Sequence, residues 1–341
     1  MTGDPVTDDM VLEHGRGAGR TVREVLDGLD QQLTTGHAED LVPIPTGFNP
    51  LDRVLGGGLM PGSLTLVGGA PGVGKTIMTL QWARNVARDG HHAIYICYEH
   101  EETELLLRLV AMELATQPEE VAAELRQKVT TSAAGAGTSL RDILRGTPEG
   151  EHVGEAIATY ADRLMLVRAS GGRTGIDQLA GMIQEDQDDR PVVFVDYLQK
   201  IPTFPAPPTE DEKITRVTEA LKDLALSLRV PIVCVAAVEK DGLATRRIRM
   251  HDFRGSSALL FESDVALVLN EKTNAVSKVH LAYDPVRAAE FPRWVVASVE
   301  KNRGGPNLVD LEFEKDFAHF RFNPQGGMVS ERLRDDRYEE E

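Results

Sequence analysis

One stretch of eight residues, GAPGVGKT from Gly69 to Thr76, constrains this chain more than any other. It fits G-x-x-x-x-G-K-[ST] and stands between the apolar run SLTLVG (63–68) and a helix expected to start near Lys75. At such a turn, glycines let backbone N–H groups wrap a phosphate, and the helix N-terminus adds partial positive charge. Gly69, Gly72, Val73, Gly74, Lys75 and Thr76 are then the candidate nucleotide-binding residues. Lys75 would reach the β- and γ-phosphates and Thr76 would ligate Mg²⁺. The competing reading, a Gly-rich turn with a chance Lys-Thr, does not explain the strand-to-helix setting. The expectation is a nucleoside triphosphate site with Mg²⁺.

The rest of the pattern agrees with the fold such a turn needs. HHAIYICY (91–98), LMLVR (164–168), PVVFVDYLQ (191–199), PIVCVAAV (231–238) and DVALVLN (264–270) are apolar on both faces. They alternate with helical periodicities such as TELLLRLVAMELA (103–115) and ITRVTEALKDLALSL, as a parallel sheet covered on both sides requires. The polar segment 117–160 reads as helices with loops. After residue 278, KVHLAY, RWVVASVEK, VDLEFE and HFRFN come without intervening helices and predict an antiparallel edge on the same sheet. The fold class is α/β, in one domain from about 42 to 325.

Two carboxylates fall where phosphate chemistry would use them. The apolar run into Asp196 places an acid at a strand's C-terminal end, where it could hold the metal directly or through water. Glu99 follows the strand after the phosphate-loop helix and could orient and deprotonate an attacking water. Equally, Glu99 could belong with Glu101 and Glu102 to the acidic start of the next helix.

Composition narrows the partners. The chain has 341 residues, 27% charged and 41% hydrophobic, with formal net charge −17. That balance argues against non-specific adhesion to nucleic acid through overall charge. A local exception is KDGLATRRIRMHDFRG, whose Lys240, Arg246, Arg247, Arg249 and Arg254 form the densest basic stretch. It could contact single-stranded phosphates, or its arginines could pair with the chain's many acids. The segment KIPTFPAPPTEDEK is Pro-rich and acidic and offers little attraction. Cys97 and Cys234 read as buried free thiols, which suits a reducing cytoplasm. No run approaches the roughly 20 apolar residues of a membrane span, and the acidic N-terminus does not read as a signal peptide. Residues 1–19 are expected to be disordered. TVREVLDGLDQQL in segment 20–41 has capping-box spacing at Thr21 and Glu24 and one apolar stripe. That helix would fold back on its own domain or dock on another subunit. Residues 326–341 read as an acidic flexible tail.

The run IPTGFNPLDRVLGGGLMPGSLTLVGGAPGVGKT, with VDYLQ, LKDLALSLRVPIVCV, DFRGSSALLFESDVALVL and VEKNRGGP, resembles the ATPase domain of DnaB-type replicative helicases. RadA and KaiC share much of it, and the resemblance covers about residues 20–323. It implies a RecA-like core that hydrolyses ATP with Mg²⁺ between subunits of a ring or filament. Glu99 becomes the catalytic glutamate, Asp196 the Mg²⁺ acid, and TVREVLDGLDQQL the linker helix that docks on the adjacent subunit. Lys301 and Arg303 become cations reaching the neighbour's nucleotide, a role worth about 10³ to 10⁵ in rate. Otherwise they are a solvated edge-strand pair that discourages aggregation.

Two departures stand out. Helicases of this kind usually carry Ser-Gln where this chain has Ala236 and Ala237, so a hydrogen-bonding relay from the γ-phosphate is missing there. Too few residues precede the linker helix for the primase-engaging N-terminal domain. The implied function is a DnaB-like oligomeric ATPase that binds or moves along single-stranded DNA. The alternative is a nucleotide-dependent scaffold or regulatory ATPase that recruits an unidentified protein without unwinding.

Overall fold

The computed structural model describes residues 19–36, 38–131, 137–186, 190–239, 242, 246–277 and 284–334. The chain divides into two compact units, Met1–Val42 and Pro43–Glu341. In the first, helix α1 (Val22–Thr35) begins at the expected capping box. Thr21 Oγ1 accepts the Glu24 N–H at 3.3 Å, and the Glu24 carboxylate accepts the Thr21 N–H at 2.6 Å. Gly36, with φ 73°, ends the helix in the left-handed conformation. No residue of α1 is buried, and Val22, Leu26 and Leu33 are each more than half exposed. The expected disorder of residues 1–19 falls, except for Gly19, outside the described residues.

The second unit is built on one sheet. Its strands are β1 (Leu64–Gly69), β2 (Ala93–Cys97), β3 (Leu164–Arg168), β4 (Val192–Asp196), β5 (Ile232–Ala236), β6 (Val265–Glu271), β7 (Trp294–Asn302), β8 (Val309–Asp316), β9 (Arg321–Phe322) and β10 (Gly327–Met328). Their order is β10-β8-β7-β6-β1-β5-β4-β2-β3, with β9 on β8. From β6 to β3 every pairing is parallel; β7, β8, β9 and β10 add antiparallel pairings. The expected architecture is thus present, while the KVHLAY strand falls on residues outside those described.

Alternation along the strands divides the core in two. Val67, Tyr95, Phe194, Val233 and Leu267 face one side, and pack with α2 (Asn49–Val54), α3 (Lys75–Arg88) and α4 (Glu102–Leu114) through Leu51, Trp82 and Leu109. Leu66, Ile94, Val193, Cys234 and Val268 face the other. A helical insertion, α5 (Glu119–Thr131), α6 (Leu140–Arg145) and α7 (Pro148–Ala158), closes a small cluster of its own against Val110 and Leu114 of α4. On the second face α8 (Ile176–Glu185), α9 (Glu210–Leu228) and α10 (Ser256–Glu262) contribute Leu179, Leu221 and Leu259. Covered on both faces, the central strands β1, β2, β4 and β5 are buried throughout. The edge strand β3 has no buried residue, so the expectation that LMLVR is covered on both sides is corrected.

The tail expected over 326–341 needs correction as far as Arg334. Gly327 and Met328 pair with Glu312 and Leu311 of β8. Leu333 bridges Val276, and Arg334 N–H donates to Ala275 O at 2.8 Å. Glu331 is buried, 3.0 Å from the ammonium of Lys272, which also meets Glu312 at 2.5 Å. A charged C-terminal sequence looks solvated until its internal counter-charges are known, and Lys272 lies 59 positions away by numbering (331 − 272). Residues 335–341 lie outside the described part.

Candidate active site

β1 leaves the sheet at Gly69, whose φ of 143° suits glycine; a Cβ there would lie 2.3 Å from the Leu269 carbonyl. The loop then closes tightly onto α3. At Gly74, φ 102°, a Cβ would strike the rings of Phe322 and Phe317 at 2.6 and 2.8 Å. These are positions where only glycine lets backbone approach backbone and ring. Val73 is buried beneath the loop.

Lys75 opens α3 and curls back over this turn, donating to the carbonyls of Gly69 and Ala70 at 2.8 and 2.9 Å. Burial pulls its ammonium below the usual lysine range, against the opposing pull of Asp196 and Glu99. One residue on, Thr76 Oγ1 donates to Asp196 Oδ2 at 2.6 Å. Asp196 ends β4, opposite Cys97 in the register with β2, and is 1% exposed. Burial raises its pKa; the hydrogen bonds from Thr76 and from Tyr95 Oη at 3.2 Å oppose that rise. The same burial, with Asp196 nearby, pushes the Cys97 thiol up to about 11 and keeps it inert as a nucleophile.

The ends of β1, β2, β4 and β5 therefore frame a cleft of about 400 Å³. Gly69, Gly72, Gly74, Lys75, Thr76, Glu99 and Asp196 line it. Glu99 lies two residues past β2 and before α4, whose N-cap is Glu101, so it is separate from the helix's acidic first turn. Phe317, on the turn after β8, forms a wall of the cleft that sequence reasoning misses. Nothing local marks it: only the return of the antiparallel edge over the phosphate turn brings it there.

Ala237 also lines the cleft, and its N–H donates to Gln199 Oε1 at 3.0 Å. Gln199 is a buried side chain with no signature of its own in the sequence. Ala236 is buried at the end of β5, and Glu239 is exposed and outside the cleft lining.

Lys301 and Arg303 stand at the exit of β7, at the other end of the sheet. Lys301 pairs with Ala266, which pairs with Leu66. Arg303 N–H donates to Asp264 O, and Asp264 N–H to Leu64 O. From Leu64 to the phosphate turn after Gly69 is about five residues of strand, about 16 Å. Lys301 Nζ donates to Leu260 O at 2.5 Å; Arg303 donates to Phe261 O at 2.5 Å and Asp264 Oδ1 at 3.2 Å. Neither lines the cleft of its own chain.

The basic stretch is not the free cationic loop that its composition suggests. Arg247 is buried and donates to Asp310 Oδ1 at 2.7 Å, Ser298 Oγ at 3.2 Å and Arg334 O at 3.2 Å. Arg249 pairs with Glu300 at 2.7 Å, and Arg254 pairs with Glu210. For these three, pairing with the chain's own acids is the reading that the geometry favours. Arg246 is exposed, and Lys240 lies outside the described residues.

The family model for the DnaB-like helicase C-terminal domain matches residues 43–322. The chain belongs to that family. Among curated DnaB-family relatives, the replicative DNA helicase DnaB of Treponema pallidum is 27% identical over 289 residues, 82% of this chain and 56% of that protein. The DNA repair protein RadA of Mycobacterium tuberculosis is 44% identical over 79 residues, 23% of this chain and 16% of that protein. The chain thus spans little more than half of the one and about a sixth of the other. In fold it resembles a solved ATPase domain, with TM-score 0.70 and 18% identity, covering 89% of this chain and 99% of that one. It also resembles a DnaB-like replicative helicase solved with attention to its interactions with primase. There the TM-score is 0.66 at 18% identity, covering 89% of this chain and 67% of that one. The DnaB-like chain therefore has the RecA-like α/β fold and is a DnaB-like ATPase domain. Among its described residues no helix is long and apolar enough to cross a membrane.

Proposed function

We propose that this chain hydrolyses ATP, with Mg²⁺, at the contacts between copies of itself in a ring or filament. The observation that carries the reading is the Lys75–Thr76–Asp196 cluster with Glu99 across one cleft, while Lys301 and Arg303 lie at the far end of the strands. By strand register Arg303 lies about 16 Å and Lys301 about 10 Å along the β1 direction from their own phosphate turn, with β6 between them and β1. In this reading they serve hydrolysis by meeting a neighbour's nucleotide.

In this reading the backbone of Gly69–Gly74 and the ammonium of Lys75 hold the phosphates. Lys75 gives up its two carbonyl acceptors to do so. The donor set suits Mg²⁺. Among the described residues no group of three or more His, Cys, Asp or Glu could hold a metal alone. Mg²⁺ takes one or two protein oxygens and fills its octahedron with water and phosphate. Thr76 Oγ1 and the Asp196 carboxylate supply those oxygens. Mg²⁺ would neutralise charge developing on the β- and γ-oxygens. Glu99 orients the attacking water and takes its proton. Lys301 and Arg303 stabilise the transferring γ-phosphoryl in trans. α1, whose apolar stripe is exposed, is the linker helix that docks on an adjacent subunit.

The proposed target of the assembly is single-stranded DNA, with Arg246 and Lys240 as phosphate contacts. A second reading, a nucleotide-driven scaffold that recruits a protein without unwinding, has its own support. Arg247, Arg249 and Arg254 are spent on Asp310, Glu300 and Glu210, and Ala237 has no side-chain hydrogen bond to give.

Arg303→Ala tests the core of the proposal. Turnover is expected to fall about 10³-fold or more with nucleotide affinity changed only severalfold, because the guanidinium acts on the transition state. Mixing Arg303→Ala chains with Lys75→Ala chains should restore part of the activity, since one type of interface then has both halves intact. Equal losses in affinity and turnover, with no complementation, would sink action in trans.

A further inference from the structure

The end of the sheet that carries Lys301 and Arg303 also carries an exposed apolar face. α10 finishes there, and its last apolar residues, Leu260 and Phe261, are 37% and 72% exposed. Their backbone carbonyls are the acceptors of both cations. The ring and the two charges therefore form one rigid piece. Asp264 braces it, accepting Lys222 Nζ at 2.7 Å, Leu64 N–H at 2.8 Å and Arg303 at 3.2 Å. Leu226, one helical turn beyond Lys222 on α9, is 55% exposed and adds apolar ground at the same end.

We infer that Phe261, with Leu260, is the apolar anchor that docks one copy of this chain on the rim of the next copy's phosphate cleft and so sets Lys301 and Arg303 against its nucleotide. The inference rests on the between-subunit reading above and adds the contact that positions the cations. The occupant is a second copy because the chemistry matches. The face offers an aromatic ring flanked by two cations. The cleft offers the exposed carboxylate of Glu99 beside the apolar walls of Pro71, Ile77, Val238 and Phe317. Exposed apolar ground rimmed by polar groups marks association surfaces, and a few side chains that become buried there carry most of the binding energy. Holding the cations on backbone carbonyls, with Arg303 also on the braced Asp264 carboxylate, lets docking fix their position with little further loss of freedom.

The test uses the full chain with Mg²⁺ and a non-hydrolysable ATP analogue. Mass photometry over a dilution series gives the assembly midpoint, and steady-state turnover is followed over the same protein concentrations. Phe261→Ala should raise the midpoint about tenfold or more. It should lower turnover at low protein concentration and recover it at high concentration, with affinity for a fluorescent ATP analogue unchanged. Phe261→Leu should restore most of the assembly, and Phe204→Ala, which trims a ring 73% exposed elsewhere, should change nothing. An unshifted midpoint for Phe261→Ala overturns the inference. So does a loss of turnover with assembly intact. A wild-type chain that never assembles, or whose turnover per chain ignores concentration, defeats the between-subunit reading itself and takes the anchor with it. Thermal melting of each variant separates these outcomes from misfolding.

Discussion

The phosphate cleft and the basic loop are both dense in charge, yet their charges are spent differently. In the cleft, Lys75 rests on two backbone carbonyls, Asp196 is buried with two hydroxyl donors, and Glu99 faces the open cleft. Among the described residues, none of these three groups is neutralised by a close ion pair. In the loop, Arg247, Arg249 and Arg254 are each matched by an acid. A charge left without a close partner in a concave site is available to a ligand, whereas a charge already paired with a counter-charge of its own chain is engaged. The same residue types thus point to chemistry in one place and to architecture in the other.

The sharpest way to break that contrast is to ask whether Glu99 differs from its neighbours. Glu99→Gln should cut turnover about 10²- to 10⁴-fold, with nucleotide affinity nearly unchanged. Glu101→Gln, at the N-cap of α4, should leave turnover within about twofold, since a single exposed helix-end charge is worth well under about 1 kcal/mol. Comparable losses in both would return Glu99 to the helix's acidic run. Single-turnover kinetics with radiolabelled ATP separates the chemical step from product release.

A stability measurement probes the other region. Arg247→Ala should destabilise the fold by about 2 kcal/mol, because it deletes a buried guanidinium that bonds Ser298 Oγ, the Arg334 carbonyl and the partly exposed Asp310. Arg246→Ala should cost less than about 0.5 kcal/mol. Its effect should appear instead in single-strand binding, as a salt slope smaller by about 0.7. Urea melts and salt titrations on the two variants give both numbers. A mild Arg247→Ala with a large loss of DNA binding would reverse the assignment.

What is legible in the sequence follows the same division. The phosphate turn is local: eight consecutive residues state their geometry, and the strand and helix on either side follow from periodicity. Asp196 and Glu99 can be found because parallel strands end together, so one anchor locates the rest. The basic loop cannot be read that way. Arg247 finds Asp310, and Arg249 finds Glu300, 63 and 51 positions on (310 − 247; 300 − 249). Nothing in a window of sequence tells whether a cation has a partner that far away. Phe317, Gln199 and the ordered stretch through Arg334 escape for this reason, since each owes its position to non-local packing. Lys301 and Arg303 are recognisable through resemblance, and only the strand register gives a physical reason why they would act outside their own chain.

The mildest expected effect concerns the cost of keeping Asp196 unmatched. Burial raises its folded-state pKa above the ordinary carboxylate value. The folded chain therefore holds this proton at a pH where the unfolded chain has released it. Its contribution to stability is full below the ordinary carboxylate range and is lost as pH rises through the raised value. At neutral pH the ionised group weighs against the nucleotide-free fold. Asp196→Asn keeps an acceptor for Thr76 and removes the charge, so it should stabilise the nucleotide-free protein by about 1–2 kcal/mol at neutral pH, and its advantage should shrink on acidification. On adding Mg²⁺ and the ATP analogue the order should invert, because the wild-type carboxylate gains a cation and the amide does not. Thermal melts across a pH series, with and without those ligands, test both signs. A variant less stable than wild type at every pH would mean that Asp196 holds the fold together as Asp310 does, and the contrast between cleft and loop would lose its physical basis.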